Sequence, residues 1–118
     1  MKTLIIGASE NPERYSYKAI KKLVDHGHEV TAIGLKPGEV AGVNFQTDKI
    51  DIPQLDTVTL YVGPKNQPEY YEYIIGLKPR RIIFNPGTEN PEFIRKANQA
   101  GIKTEIACTL VLLGTGQF

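Results

Sequence analysis

The stretch from Thr3 to Gly27, TLIIGASENPERYSYKAIKKLVDHG, constrains this chain more than any other. Thr3, Leu4, Ile5 and Ile6 form a short apolar, partly β-branched run, which reads as a buried strand. Gly7 and Ala8 follow at once, and small residues there let backbone approach a ligand closely. Ser9, Asn11, Arg14 and Ser16 then gather hydroxyl, amide and guanidinium donors in one polar loop. A helix begins near Ser16, with Ala19, Ile20, Leu23 and Val24 as its apolar stripe and Gly27 as its stop. The free N–H groups and positive dipole end of such a helix favour an anion. Strand, glycine turn, polar loop and helix together are the geometry of a phosphate or nucleotide site on a doubly wound sheet, or of an ordinary strand-to-helix connection with a polar loop. The dinucleotide pattern G-x-G-x-x-G is absent, because Ser9 and Pro12 stand where its later glycines belong. A P-loop is absent as well, since no Gly-Lys-Ser/Thr follows.

The rest of the chain repeats the strand–helix alternation. Glu29–Ile33 (EVTAI) is the second strand, expected to run parallel to the first. A protein that binds NAD usually places an acid at the end of this strand; here Lys36 stands in Gly34-Leu35-Lys36-Pro37-Gly38. A cation there suits a phosphorylated ribose, or is a solvated turn lysine. Residues 39–53 read as a loop in which Asn44-Phe45-Gln46 is extended and reaches a sheet edge. Thr57–Val62 (TVTLYV) is apolar or β-branched almost throughout, as in a central strand covered on both faces. Gly63 and Pro64 break it. A helix follows from near Asn66 to Pro68, with Tyr70, Tyr73, Ile74 and Leu77 as its core stripe. Arg81–Phe84 (RIIF) is the fourth strand, and it runs into the polar loop Asn85-Pro86-Gly87-Thr88-Glu89-Asn90. Asn90 reads as an N-cap and Pro91 as the first helical residue. Lys103–Ala107 is the fifth strand, followed by Cys108 and a terminal helix or arm at Thr109–Leu113.

Composition narrows the functional classes. The 118 residues suit one domain, 1–118, with a core that needs no disulfide or metal. A net charge of +1 offers no nucleic-acid footprint, and Lys78, Arg80 and Arg81 read as a solvated strand entrance. The single cysteine suits a reducing compartment. The apolar run at the start is too short for a signal peptide or a membrane span, so the expectation is a soluble cytoplasmic protein that meets no membrane. His26 and His28 lack an acidic or cysteine partner and read as residues of a helix end. Cys108 reads as a small packing residue; a reactive thiol is the other reading. The apolar terminal segment leaves a homodimer or another protein partner open.

The pattern Gly7-Ala8-Ser9-x-Asn11-Pro12-x-Arg14-x-Ser16-Tyr17 resembles the opening of the small CoA-binding proteins, a family similar to the CoA-binding domain of the succinyl-CoA synthetase α subunit. Gly27-His28-x-Val30, Ile52-Pro53, Asn85-Pro86-Gly87-x-Glu89-Asn90 and Cys108 extend the resemblance over the whole chain. It implies a Rossmann-like α/β fold, a doubly wound parallel sheet of about five strands in three α/β/α layers. It also implies coenzyme A as the ligand. Gly7, Ala8, Ser9 and Asn11 would offer donors to the pyrophosphate, and Arg14 and Ser16 would add charge and a hydroxyl. Lys36 would meet the 3′-phosphorylated ribose. Gly63 and Pro64 would border the adenine, and Asn85, Pro86 and Gly87 would flank the pantetheine. One place departs from the family: Gly34-Leu35-Lys36-Pro37 replaces the Asn-Pro pair that commonly closes the second strand. The synthetase's catalytic machinery does not carry over, and the expectation is a cytosolic CoA or acyl-CoA binder without catalysis of its own. Two other readings stay open. One is a binder of NADP or another phosphorylated nucleotide; the other is a thiol or acyl-CoA enzyme using Cys108.

Overall fold

In the computed structural model, which describes residues 1–118, the first apolar run becomes strand β1 (Lys2–Ala8). Its alternation splits the core in two. Leu4 and Ile6 point into one apolar cluster and Ile5 into the other, all three fully buried. Helix α1 (Tyr15–Asp25) follows the polar loop, and Gly27 ends it with φ +80°. Strand β2 (Glu29–Gly34) returns parallel to β1. Next come two short strands, β3 (Gly38–Val40) and β4 (Val43–Phe45), paired antiparallel. Strand β5 (Thr57–Leu60) lies parallel on the other side of β1. Two 3-10 turns, Pro64–Asn66 and Pro68–Tyr70, lead into α2 (Tyr71–Leu77). Strand β6 (Arg81–Phe84), α3 (Pro91–Gln99), β7 (Lys103–Ile106) and α4 (Thr109–Gly114) complete the chain.

The five parallel strands lie in the order β2-β1-β5-β6-β7. Helices α1 and α4 and the β3–β4 hairpin cover one face, where Ala19, Ile20, Leu23, Val40, Phe45 and Leu113 meet Ile5. Helices α2 and α3 cover the other, where Ile74, Phe93 and Ala97 meet Leu4, Ile6, Leu60 and Phe84. Phe84 and Phe93 meet edge to face, 5.7 Å between centroids. The result is the Rossmann-like three-layer sandwich that the sequence implies.

Three readings change. Residues 39–53 are only partly a loop. Ala41 and Gly42 both hold positive φ, +53° and +83°, so a tight turn closes a hairpin, and Gln46 then bridges to Ile33 of β2. The basic cluster before β6 is not a uniformly solvated entrance. Arg81 is 3% exposed; its Nε donates to Thr57 Oγ1 at 2.9 Å, its Nη1 faces Glu105 at 3.5 Å, and the Phe118 ring lies over its guanidinium. Arg80 instead makes a two-pronged bond to Asp56, which holds that carboxyl below its ordinary range. Cys108 is half-buried at the start of α4, not a core residue.

Candidate functional site

In an open parallel sheet the ligand crevice lies beyond the carboxyl ends of the strands, where neighbouring connections leave in opposite directions. Here that point falls between β1 and β5. The connection after β1 goes to β2 on one side, and the chain then crosses to β5 on the other. A cleft of about 530 Å³ opens there. Gly7, Ala8 and Ser9 come from the end of β1, and Arg14, Tyr15 and Ser16 from the start of α1. Leu35 and Lys36 come from the end of β2, Tyr61, Val62 and Gly63 from the end of β5, and Pro86, Gly87 and Thr88 from the end of β6.

The charged side chains that line the cleft have one sign. Arg14 and Lys36 line the cleft and no acidic residue does. Arg14 is the N-cap of α1, with extended backbone, and it supplies no side-chain cap. The first turn holds no acid either. The helix therefore presents uncapped N–H groups and the positive end of its dipole to the cleft, an arrangement that an external anion completes. Ser9 Oγ accepts from Asn11 N at 3.1 Å, which leaves its O–H free to donate. A wider groove of about 870 Å³ lies between α2 and α3. Glu69 and Glu72 line it beside Lys96, so it does not share this charge, and it stands away from the strand ends.

Nine of the twelve residues singled out from the sequence line the cleft: Gly7, Ala8, Ser9, Arg14, Ser16, Lys36, Gly63, Pro86 and Gly87. Three do not. Asn11 shapes the loop, because its Oδ1 accepts from Glu13 N and its carbonyl accepts from Arg14 N, both at 3.0 Å. Pro64 begins an exposed 3-10 turn just outside. Asn85 is buried beneath the floor. Its Nδ2 donates to Thr59 Oγ1 at 2.6 Å and the Leu60 carbonyl at 2.8 Å, and its Oδ1 accepts from Thr109 N at 2.9 Å. It ties β5, β6 and α4 together and has no donor left for a ligand. The Gly87 N–H is also engaged, donating to Glu89 Oε1 at 2.8 Å.

Five lining residues escaped the sequence reading: Tyr15, Leu35, Tyr61, Val62 and Thr88. Leu35 is 84% exposed and Tyr15 66%, an apolar pair on the rim beside the two cations. Their exposure is the signal, and a sequence does not display it. Tyr61 looked like the continuation of an apolar strand. Its hydroxyl is buried without a hydrogen-bond partner, and burial pushes the phenol up to about 12. The Thr59 and Thr109 hydroxyls stand near but bond to each other at 2.7 Å, so they offset that shift only in part. Cys108 lies outside the lining, and both histidines sit at the opposite, amino-terminal end of the strands.

Comparisons with known proteins bear on the family and the fold. A family model described as a CoA binding domain matches residues 1–114. A crystal structure described as that of an uncharacterized protein is 49% identical, covers 99% of this chain and 97% of its own, and superposes with a TM-score of 0.96. A hypothetical protein from Pyrococcus horikoshii is 34% identical, with 93% of this chain and 79% of that one covered and a TM-score of 0.84. A Thermus thermophilus protein shares the fold alone, at 21% identity, with 99% of this chain and 90% of that one covered and a TM-score of 0.85. No curated protein matches the sequence. The chain belongs to the CoA-binding domain family.

Proposed function

We propose that this chain is a cytosolic binder of CoA or an acyl-CoA that works as one unit over residues 1–118 and performs no chemistry of its own. One observation carries the reading: an acid-free cleft that sets Arg14 and Lys36 around the uncapped start of α1, at the crevice between β1 and β5. The donor set fits a pyrophosphate-bearing nucleotide. The α1 N–H groups and the Ser9 and Ser16 hydroxyls meet phosphate oxygens, with Arg14 adding a charge-assisted bond. Lys36, at the end of β2 in the same cleft, meets the 3′-phosphate. Leu35 and Tyr15 offer apolar surface beside it. The bound group supplies a thiol or thioester. Neither a cysteine nor a histidine lines the cleft: Cys108 stands at the start of α4, and both histidines sit at the amino-terminal end of the strands.

Calorimetric titration with CoA, 3′-dephospho-CoA, NAD and NADP at fixed salt tests this reading. CoA is expected to bind tightest and 3′-dephospho-CoA more weakly. Arg14→Ala is expected to weaken CoA by roughly 1.5–3 kcal/mol, the usual worth of a bond to a charged group. Lys36→Ala is expected to erase the difference between CoA and its dephospho form. No heat with CoA, or tighter binding of NADP, contradicts the proposal.

A further inference from the structure

The parallel sheet has two edges, and only one is covered. At the β2 edge Gly34 donates to the Gln46 carbonyl at 3.0 Å, so the chain after β4 lies along it. At the other edge β7 pairs with β6 and with nothing else. Strands β5 and β6 are buried at every position, whereas β7 is exposed or half-buried at every one, and Ile106 is 64% exposed. A bare strand edge is a template for another strand.

Register and charge select what pairs with it. Lys103 and Ala107 donate their N–H groups to the Arg80 and Phe84 carbonyls, at 3.1 and 3.2 Å, towards β6. Hydrogen-bonding direction alternates along a strand, so Thr104 turns its N–H and C=O outward. In an antiparallel contact between two copies, outward residues must oppose outward residues, and the two-fold axis therefore passes through a residue. An axis at Lys103 sets two lysines opposite each other, and an axis at Glu105 sets two glutamates opposite each other. An axis at Thr104 sets Lys103 of each copy opposite Glu105 of the other, twice, on one face of the sheet, and so adds a cation to a carboxylate that already faces Arg81 and Lys103 of its own copy, each at 3.5 Å. Unlike charges directly opposite stabilise a strand pair and like charges oppose it.

We infer that β7 is an interface for a second copy of this chain, antiparallel about Thr104, so that one sheet continues through both molecules. The contact is isologous, as a two-fold dimer requires. It leaves both nucleotide clefts open, because no residue of β7 lines them, and it does not depend on what they bind.

Sedimentation velocity of the intact chain, from micromolar to several hundred micromolar, tests this inference. The expected result is a concentration-dependent dimer. Lys103→Glu opposes like charges at both cross-strand pairs and shifts the midpoint to roughly tenfold higher concentration. Mixing that variant with Glu105→Lys makes every cross-strand pair unlike again and restores a mixed dimer. Thr104→Pro removes the outward N–H at the axis and abolishes the dimer, in a position where an edge strand tolerates proline. Thermal melts followed by circular dichroism establish that each variant is folded. A parent chain that stays monomeric throughout overturns the inference, and the two charges then serve to keep the edge solvated. A dimer that none of the variants weakens overturns it too.

Discussion

Gly7 holds φ at +99°, where β1 breaks register between Ile6 and Ala8. A Cβ on it would stand 2.8 Å from the Tyr61 carbonyl oxygen and 3.1 Å from Val62 Cγ1. The glycine is therefore imposed by the end of the neighbouring strand as much as by a ligand. Gly7→Ala is expected to cost roughly 1–3 kcal/mol of stability, the scale of one forced backbone conformation. A urea midpoint equal to the parent's would refute that assignment. Charged residues of the connecting loops were legible from sequence: Arg14 at the start of α1 and Lys36 after β2 both reach the cleft. Asn85 was not, because an amide at a strand end can turn to a ligand or to the core. Sequence fixes the residue type and not the direction, and here three bonds hold it inward.

At the scale of elements, the cleft walls are held by a buried glutamine. Gln67, 0% exposed between the two 3-10 turns, donates through Nε2 to the Val62 carbonyl at 3.0 Å and the Thr88 carbonyl at 2.7 Å. Its Oε1 accepts from Asn90 Nδ2 at 3.0 Å, and Asn90 Oδ1 accepts from Phe93 N to cap α3. One side chain thus joins the ends of β5 and β6 to the start of a helix. Gln67→Leu leaves these buried groups unpaired and is expected to lower stability by roughly 1–3 kcal/mol, with weaker CoA binding as Val62 and Thr88 loosen. Unchanged urea midpoint and affinity would remove Gln67 from the account. The Asn90 cap was readable, because Asn followed by Pro is a helix-start signal with a mechanism. The β3–β4 hairpin was hidden, because Ala41 occupies a positive-φ turn position where Asn, Asp or Gly would announce it. Only the extended piece at Asn44-Phe45-Gln46 showed through.

Across the whole molecule, the order of alternating strands and helices was sufficient to expect a doubly wound sheet, since parallel strands need crossovers and buried strands read as apolar runs. The position of the crevice follows from the strand order β2-β1-β5-β6-β7, which no local pattern encodes. That order brings four separate strand ends into one acid-free cleft, while the wider groove between α2 and α3 mixes charges and stands apart from them. The claim that rests on all of this is the place of the nucleotide. Amide chemical-shift mapping of the labelled chain during a CoA titration measures it directly. The expected result is a saturable set of shifts at Ala8, Ser9, Tyr15, Ser16, Lys36, Val62 and Gly63. Shifts gathered instead at Tyr71, Glu72, Lys96 and Gln99, or none at saturating CoA, would contradict the account.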